Sequence, residues 1–522
     1  MSELYQARLK KLQTPVNYSF LTQIQRGIEK ESLRVTPQAT TAQTRHPLAL
    51  GSALTHTCIT TDYSEALLEF ITPVFQKIDD SINYLSDLHN FTQRNLKDEY
   101  IWPASMPCRL AGEESIPIAQ YGTSNIGQMK YIYRQGLAHR YGRIMQSIAG
   151  IHYNFSMPED FWPYYQQLWG SKGDLQAFKS ERYFGLIRNV NRHAWLLSYL
   201  FGASPVLDSS FMNNKDHQLD TLSKNTLGLP FATSLRMSDL GYQSKAQASL
   251  NISHNNLDSY IQGMTQAIQQ PYSGYEKLGV NVDGQYRQLN SNILQLENEY
   301  YSEIRPKRVA RAGEKPLAAL KERGVEYVEV RILDTNPFLP AGIDAQQIRF
   351  LDAFLLYCLI SDSPDISPEE LKEIKYNHQQ VILAGRKPSL QLQQSGKAIP
   401  FKQKAKQLLT EITPIATLLD QAHGTQSDSY KLTINEQMDK VADSKLTPSG
   451  KVMLTIANGD SFADAMLEQA KKHQTVLLQR GLSDSTHSAL MRFTDESLQQ
   501  QTQLEADDVH SFDEFLSQYH AV

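Results

Sequence analysis

The sequence has little cysteine, no long apolar run and little net charge, and each shortage excludes a class of protein. Its 522 residues include only three cysteines, Cys58, Cys108 and Cys358. An odd number of cysteines without close spacing argues against a disulfide framework and a thiolate metal site, so we expect reduced, structural thiols. The longest apolar run, Ala353 to Ile360, is far shorter than the ~20 residues that span a bilayer. We expect it to form a buried helix.

The formal net charge of -5 provides neither a basic field for nucleic acid nor a polybasic signal for membranes. Residues 1–12 alternate charged and apolar side chains and lack the continuous apolar stretch of a secretory signal. We therefore expect a cytoplasmic protein with no nucleic-acid or membrane partner, and we also expect a monomer. The composition, 41% hydrophobic and 20% charged, is typical of a globular enzyme with a large core.

Two regions of the chain differ in pattern. Residues 23–334 contain short alternating segments, whereas the chain from Pro368 onward is mainly helical. In the first region, a helix over Asp80 to Leu96 should be capped by Asp80 or Ser81 and should pack on a sheet. No repeat or linker is visible, so we expect one catalytic unit over residues 1–522. Its sheet-based active-site region spans about 20–350 and its helical annex about 368–522.

The last third shows amphipathic periodicity without a catalytic constellation. We expect helices with glutamine-rich polar faces over residues 403–422, 434–443, 461–472 and 512–519. The short glutamine tracts at 391–395 and 499–503 are interpreted as solvated faces or loops.

Two segments place carboxylates on or beside predicted strands. In the first, strand alternation puts Glu29 and Glu31 on one face, about 7 Å apart, close enough to share divalent ions. The alternative is a solvent-facing acidic edge. In the second, Glu69 lies inside an apolar run, where a carboxylate is costly unless it is paired or bound to metal. Asp62 precedes this strand as either a loop ligand or a turn residue.

Two further segments add a histidine and an acid beside a base. Residues 151–156 alternate apolar and polar side chains and place His152 on the polar face beside an amide and a hydroxyl, which favours a site over a structural role. Residues 325–334 place Glu329 and Arg331 on one face; the alternative is an ion pair that is worth little if exposed. Such oxygen-rich groups suit magnesium or manganese, which usually escort nucleotide phosphates. The absence of GxxxxGK[ST] and GxGxxG disfavours a P-loop ATPase and a dinucleotide dehydrogenase.

A series of collinear motifs covers most of residues 20–350. The motifs are Ile24 to Glu31, Leu50 to His56, Glu65 to Pro73, Gln120 to Asn125, Gly150 to Ser156, Leu200 to Pro205, Thr233 to Tyr242 and Ile304 to Arg308. In these motifs the chain resembles the proteobacterial type of glutamate-cysteine ligase, also called gamma-glutamylcysteine synthetase, a relative of glutamine synthetase. Beyond Pro368 only residues 384–388 match the family.

The resemblance implies an α+β fold, in which a curved, mainly antiparallel sheet forms a funnel with helices outside and three divalent ions inside. It implies ATP-dependent joining of the γ-carboxylate of L-glutamate to the amino group of L-cysteine through γ-glutamyl phosphate, the first step of glutathione biosynthesis. The implied cofactor is Mg²⁺ or Mn²⁺, with ATP as co-substrate.

The resemblance also implies roles for individual residues. The metal ligands would be Glu29, Glu31, Asp62, Glu69, His152 and Glu329. The cysteine pocket would comprise Tyr63, Tyr133, Leu137, Gln146, Arg236, Tyr242 and Tyr301. The family usually has phenylalanine where Tyr63 stands, so selectivity for cysteine over close analogues stays open. Arg331, beside Glu329, is the best candidate to stabilise the phosphoryl oxygens and the tetrahedral oxyanion, because its planar guanidinium is permanently charged.

Other interpretations stay open at this level. A ligase of the same fold could use another amine, and a metal-dependent hydrolase could use the acidic cluster to activate water. A non-catalytic scaffold is disfavoured because none of the implied ligands is missing. The basic stretch Arg305 to Arg308, followed by Arg311 and Lys315, is either a solvated loop or a contact for ATP phosphates or substrate carboxylates.

Overall fold

The structure is a computed structural model that describes residues 3–213, 215–240, 245–248, 250, 252–311, 313–424 and 429–521. Its α-helices are α1 (Glu3–Leu12), α2 (Pro15–Thr22), α3 (Ile78–Asn95), α4 (Asn125–Tyr141), α5 (Phe161–Leu168), α6 (Leu175–Phe201), α7 (Lys245–Ala248), α8 (Leu257–Gln269), α9 (Ser273–Leu278), α10 (Pro316–Arg323), α11 (Ala345–Ile360), α12 (Pro368–Ala384), α13 (Phe401–His423), α14 (Ser429–Ala442), α15 (Pro448–Ile456), α16 (Phe462–Arg480), α17 (Asp484–Asp507) and α18 (Phe512–Ala521). Short 3-10 helices span Leu48–Leu50, Glu113–Ser115, Ile144–Ser147, Ser209–Met212, Leu235–Met237, Glu297–Glu299 and Ser444–Leu446.

The strands are fewer and shorter than the helices. They are β1 (Gln25–Val35), β2 (Ile59–Thr61), β3 (Leu67–Ile71), β4 (Tyr100–Ile101), β5 (Ile151–Ser156), β6 (Val206–Asp208), β7 (Asp220–Ser223), β8 (Thr226–Gly228), β9 (Asn281–Val282), β10 (Gln285–Tyr286), β11 (Ile304–Lys307), β12 (Tyr327–Leu333), β13 (Gln391–Gln394) and β14 (Lys397–Pro400). The mixture of helices and sheets confirms the predicted mixed class.

The central sheet has seven strands in the order β11-β12-β5-β1-β3-β2, with β4 paired to the end of β1. All of its recorded strand pairs are antiparallel. Among the described strands, β11 and β2 form its two ends, so the sheet does not close into a barrel. The strands predicted around Glu29, Glu69, His152 and Glu329 are β1, β3, β5 and β12, which confirms all four predicted strands.

One face of this sheet is apolar and faces the main core. Ile28, Tyr153, Phe155, Val328 and Val330 are fully buried there. Helices α3 and α6 pack on the sheet, and α11 lies against both helices. Because side chains alternate along a strand, burial of this set directs the intervening polar residues to the opposite face. The apolar run predicted to be a buried helix is the second half of α11.

A buried ion pair fixes the sheet against α11. Arg26 Nη2 on β1 lies 2.6 Å from Asp352 Oδ2 on α11, and neither side chain is exposed. The hydroxyl of Tyr153 donates to the other carboxylate oxygen at 2.7 Å. Loss of one partner from such a pair leaves an uncompensated buried charge, at a cost of about 3–5 kcal/mol. This contact therefore holds β1 and β5, the two strands at the middle of the sheet, in a fixed position.

The predicted start of one helix is wrong, and the two glutamine tracts lie in regular elements. Helix α3 begins at Ile78, before the predicted cap, and Asp80 instead lies in its first turn, where a carboxylate is favoured by the helix dipole. The tract 499–503, predicted as a solvated face or loop, lies within helix α17, and four of its five residues are exposed, which confirms the solvated face. The tract 391–395 forms the first strand and the first turn residue of a hairpin whose turn residues, Ser395 and Gly396, both have positive φ, as a two-residue turn requires.

The helices of the last third share the core of the sheet region. Helix α13 packs against α2, α11 and α14, and α16 packs against α3. The division into a sheet region and a helical annex stays a prediction. All three cysteines are buried and form no disulfide, as expected. Within the described ranges, no helix is both long enough and apolar enough to cross a membrane.

Candidate active site

The polar face of the sheet borders a cavity of about 440 Å³. Every predicted site residue that the structure describes lines this cavity. They are Glu29, Glu31, Asp62, Tyr63, Glu69, Tyr133, Leu137, Gln146, His152, Arg236, Tyr301, Glu329 and Arg331. The remaining predicted residue, Tyr242, lies outside the described residues.

Strand register places the ionisable residues in a row across the sheet. Glu69 on β3 lies opposite Glu31 on β1. Glu29, two residues earlier on β1, lies opposite His152 on β5. Arg305 on β11 lies opposite Glu329 on β12, which in turn pairs with β5. Because all these side chains must point away from the buried face, the register alone brings carboxylates, a histidine and an arginine together.

Glu29, His152 and Glu329 form the tightest group. One donor atom from each lies within 4.8 Å of the other two. His152 Nδ1 is 3.2 Å from Glu29 Oε2 and 3.8 Å from Glu329 Oε1. Burial, the largest influence, would raise the pKa of Glu29, but the hydrogen bond with His152 and attraction to His152 and Lys307 together lower that pKa. These carboxylates therefore stay ionised, as metal ligands must.

Glu31, Asp62 and Glu69 form a second group in which negative charges are not balanced. Burial, followed by repulsion from Glu29 and Asp62, raises the pKa of Glu69 well above its ordinary value of 4.5. Burial and repulsion from Asp62 raise the pKa of Glu31 as well. Like charges directly opposite each other on paired strands destabilise a sheet. A divalent cation would remove this repulsion, and oxygen donors with one imidazole fit magnesium or manganese.

Cationic side chains border the acidic groups on the β11 and β12 side. Arg331 Nη1 donates to Glu329 Oε2 at 3.1 Å, and Lys307 Nζ lies 3.5 Å from Glu329 Oε1. Burial would raise the pKa of Glu329, but these two cations lower it well below its ordinary value. The Nε atoms of Arg305 and Arg331 are buried, with no hydrogen-bond partner among the described residues. Both guanidinium groups are therefore left with a donor for an anionic ligand such as a phosphate.

The residues of the predicted cysteine pocket come from several elements. Tyr133 and Leu137 lie one turn apart on α4, a helix capped by Ser124 Oγ, which accepts from Gly127 N at 3.3 Å. Tyr63 is 1% exposed, and its hydroxyl has no hydrogen-bond partner among the described residues. Burial raises the pKa of Tyr301 to about 12, so its hydroxyl stays protonated. An unpartnered hydroxyl beside Tyr133 and Leu137 suits a small ligand with a polar end.

Arg236 connects this pocket to the row of charges. Its Nη2 donates to the backbone oxygen of Arg331 at 3.0 Å, and its Nη1 lies 3.6 Å from Asp334 Oδ1. A Cβ atom at position 150 would lie 2.1 Å from Arg236 Nη2. Gly150, the residue before β5, is therefore required for the guanidinium to reach this position.

A sequence model of the family described as glutamate-cysteine ligase matches residues 9–381, well over half of the chain. The chain belongs to the glutamate-cysteine ligase family. It is 51% identical to a glutamate-cysteine ligase of Pseudomonas fluorescens, an alignment that covers 100% of this chain and 98% of that protein. It is 49% identical to a glutamate-cysteine ligase of Azotobacter vinelandii, with 100% and 99% covered.

Two solved structures share the fold. A glutamate-cysteine ligase of Francisella tularensis, crystallised in complex with AMP, matches with a TM-score of 0.89 and 38% identity over 96% of this chain and 98% of that one. A bifunctional glutathione synthetase from Pasteurella multocida matches with a TM-score of 0.74 and 23% identity, and covers 94% of this chain and 58% of that one. The second match supports the fold alone.

The cavity of this glutamate-cysteine ligase family member also includes two residues of the basic stretch, for which the sequence left a solvated loop or an anion contact open. Arg305 and Lys307 lie on β11 and line the cavity, so the solvated-loop interpretation of this part of the basic stretch is wrong. Arg134 Nε and the hydroxyl of Tyr121 both donate to the backbone oxygen of Asp62, which fixes the bend between β2 and β3. The alternation of Arg305 and Lys307 with apolar neighbours is the signal that indicates a strand there.

Proposed function

We propose that this chain joins the γ-carboxylate of L-glutamate to the amino group of L-cysteine, with conversion of ATP to ADP and phosphate. The family match and the relatives named glutamate-cysteine ligase support this reaction. The observation that carries it is the row of charges along the polar face, where carboxylates for divalent ions adjoin arginines with unpartnered donors. The AMP complex of the Francisella relative supports use of an adenine nucleotide.

In our proposal, the sheet and its surrounding helices form a funnel within a single cytoplasmic, monomeric catalytic unit. The residues that would hold Mg²⁺, or Mn²⁺, are Glu29, Glu31, Asp62, Glu69, His152 and Glu329. When bound, the ions neutralise charge on the transferring phosphoryl group. The unbalanced acids at Glu31 and Glu69 support this assignment, because without a cation they would repel each other across paired strands.

The reaction needs the glutamate carboxylate to become a better electrophile. The γ-phosphoryl group of ATP is transferred to that carboxylate, and the amine of cysteine then attacks the acyl carbon and releases phosphate. Arg331 supports both steps, because its charge is fixed next to Glu329 and its Nε has no protein partner among the described residues. Its planar group can therefore stabilise phosphoryl oxygens and the tetrahedral oxyanion.

Two polar groups that line the cavity support binding of cysteine. Tyr63 offers an unpartnered hydroxyl, and Arg236 offers a guanidinium that a substrate carboxylate could approach. Tyr133, Leu137 and Tyr301 surround the same space with apolar and aromatic surface. A small amino acid with a thiol side chain fits this combination of one cation, hydroxyls and apolar walls.

An isotope experiment tests the proposed sequence of steps. The protein is incubated with ATP, Mg²⁺, L-cysteine and L-glutamate labelled with oxygen-18 in the γ-carboxylate. Passage through γ-glutamyl phosphate moves a labelled oxygen into the released phosphate, which mass spectrometry detects. Release of unlabelled phosphate at the same rate with or without glutamate would indicate a hydrolase, because water would then be the attacking group.

A further inference from the structure

The C-terminal helix α18 reaches the active-site cavity. Tyr519, near its end, lines the cavity together with Met129 and Leu296. Lys315 Nζ lies 4.9 Å from the centre of the Tyr519 ring. The family match ends at residue 381, so this contribution comes from a part of the chain that the family model does not cover.

Polar contacts from the segment before α18 fix the start of α4. Glu505 Oε1 accepts a hydrogen bond from the backbone nitrogen of Thr123 at 2.8 Å. The Asp508 carboxylate accepts from the backbone nitrogen of Asn125, the first residue of α4. The Asn125 side chain donates back to the oxygen of His510 at 3.0 Å. Asp508 thereby binds a free N–H group at the N-terminus of α4, where negative charge is favoured, and Glu505 binds the N–H two residues earlier.

Apolar contacts from α18 itself fix two elements at once. Leu516, which is 6% exposed, packs with Met129 and Ile132 of α4 and with Leu289 of the loop that follows β10. His520 Nε2 lies 3.3 Å from the backbone oxygen of the same Leu289. Helix α18 therefore joins α4 to this loop through a small apolar cluster.

The two elements that α18 joins carry the proposed cysteine pocket. Helix α4 provides Tyr133 and Leu137, and the chain that continues from Leu289 provides Leu296 and Tyr301. Gln295 Nε2 also donates to the oxygen of Tyr133 at 3.2 Å, which links the two elements directly. Five of the six proposed metal ligands, and Arg331, lie instead on strands β1, β3, β5 and β12 of the central sheet.

We propose that α18 is the wall that sets the width of the amine-substrate pocket, with Tyr519 as its positioning residue. This inference rests on the proposed function, because it assigns the pocket to the amine. Tyr519 lines the cavity with Met129 and Leu296 and packs on the apolar cluster that joins α4 to the loop, so its ring holds the two elements at a fixed distance. Loss of the ring lets α4 and the loop move. This movement weakens binding of the amine substrate more than binding of the nucleotide.

Steady-state kinetics of point variants tests this assignment in the full chain. Tyr519→Ala removes the ring, Tyr519→Phe keeps it, and Leu516→Ala loosens the helix. Gln518→Ala is a control on an exposed position of the same helix. Leu408→Ala is a second control, a buried leucine of α13 that is 4% exposed and belongs to the main core. Thermal melting of each variant reports its folding.

We expect Tyr519→Ala to raise the KM for cysteine by about fivefold or more, the loss expected for one aromatic packing contact. The kcat and the KM for ATP should stay within about twofold, and Tyr519→Phe should restore the KM for cysteine. Leu516→Ala should also raise the KM for cysteine, as Tyr519→Ala does. Both controls should leave the KM for cysteine unchanged.

Two results would overturn the inference. One is an unchanged KM for cysteine in a folded Tyr519→Ala variant, and the other is an equal rise for all three substrates, which indicates general loosening. Tyr519 is only half-buried, so this variant stays informative if Leu516→Ala does not fold. A wild-type protein without cysteine-dependent ADP release would instead contradict the proposed function, so the two failures are distinguishable.

Discussion

Replacement of Glu69 by glutamine should stabilise the metal-free protein and weaken its binding of divalent ions. Glu69 lies directly opposite Glu31 on paired strands, and repulsion from Asp62 adds to the burial that raises its pKa. Glutamine keeps the shape of the side chain and removes the charge. The same change therefore relieves repulsion in the absence of metal and removes a ligand in its presence.

The gain in stability of the metal-free protein can be estimated from the strand register. Side chains directly opposite on antiparallel strands have Cβ atoms about 5 Å apart. Two unit charges at about 5 Å repel by about 3 kcal/mol at an effective dielectric constant of about 20. The cavity admits solvent, so we expect the free energy of unfolding without metal to rise by about 1–3 kcal/mol. Magnesium at about 100 times its dissociation constant should add about 2.7 kcal/mol to the wild type and less to the variant.

Urea unfolding, followed by circular dichroism in EDTA and in magnesium chloride, measures both effects. Glu65→Gln is a matched control, because Glu65 is buried nearby but its carboxylate accepts backbone N–H groups of His46 and Gln120. This control should lose stability in both buffers. In EDTA, the gain from Glu69→Gln should shrink as the pH falls through the raised pKa towards 4.5, because the folded wild type then takes up the proton. A Glu69→Gln variant that is less stable in EDTA, or equally stabilised by magnesium, would refute the reasoning.

Three further outcomes follow from the same site. Glu329→Gln should lower turnover by more than about 100-fold with an unchanged circular dichroism spectrum, because it removes a ligand without changing volume; near-normal ligation would exclude Glu329 from the site. Arg331→Lys should lower kcat by about 100-fold with little change in KM for ATP or glutamate, since lysine keeps the charge but loses the planar fork; a normal kcat with a greatly raised KM would make Arg331 a ground-state anchor. Simultaneous replacement of Cys58, Cys108 and Cys358 by alanine should lower the melting temperature but keep activity, and inactivity with an unchanged melting curve would contradict this.

The strands of the site could be predicted from the sequence because one face of the sheet is fully buried. Under that condition apolar and polar residues alternate, as in β5, where Tyr153 and Phe155 face the core and His152 faces the cavity. The same alternation identified Glu29, Glu31 and Glu329. Which strands are neighbours, and in which register, depends on long-range pairing that alternation does not encode.

Other parts of the site could not be predicted from local pattern. Tyr133 lies on a helix and Tyr63 in a loop, so only the family resemblance suggested that they share a pocket. Helix α17 was not predicted, and one reason is that its buried face uses Thr494 and Ser497 in place of larger apolar residues. The position of Tyr519 depends on the path of the last helices over α4, which no short motif determines.

The most direct test of the account is an amine-panel assay of ADP release with glutamate, ATP and magnesium. We predict that ADP forms only when both glutamate and an amine are present, that cysteine gives the highest kcat/KM of the panel, and that γ-glutamylcysteine is the product by mass spectrometry. ADP release without an amine, or a clear preference for an amine other than cysteine, would contradict the proposed function.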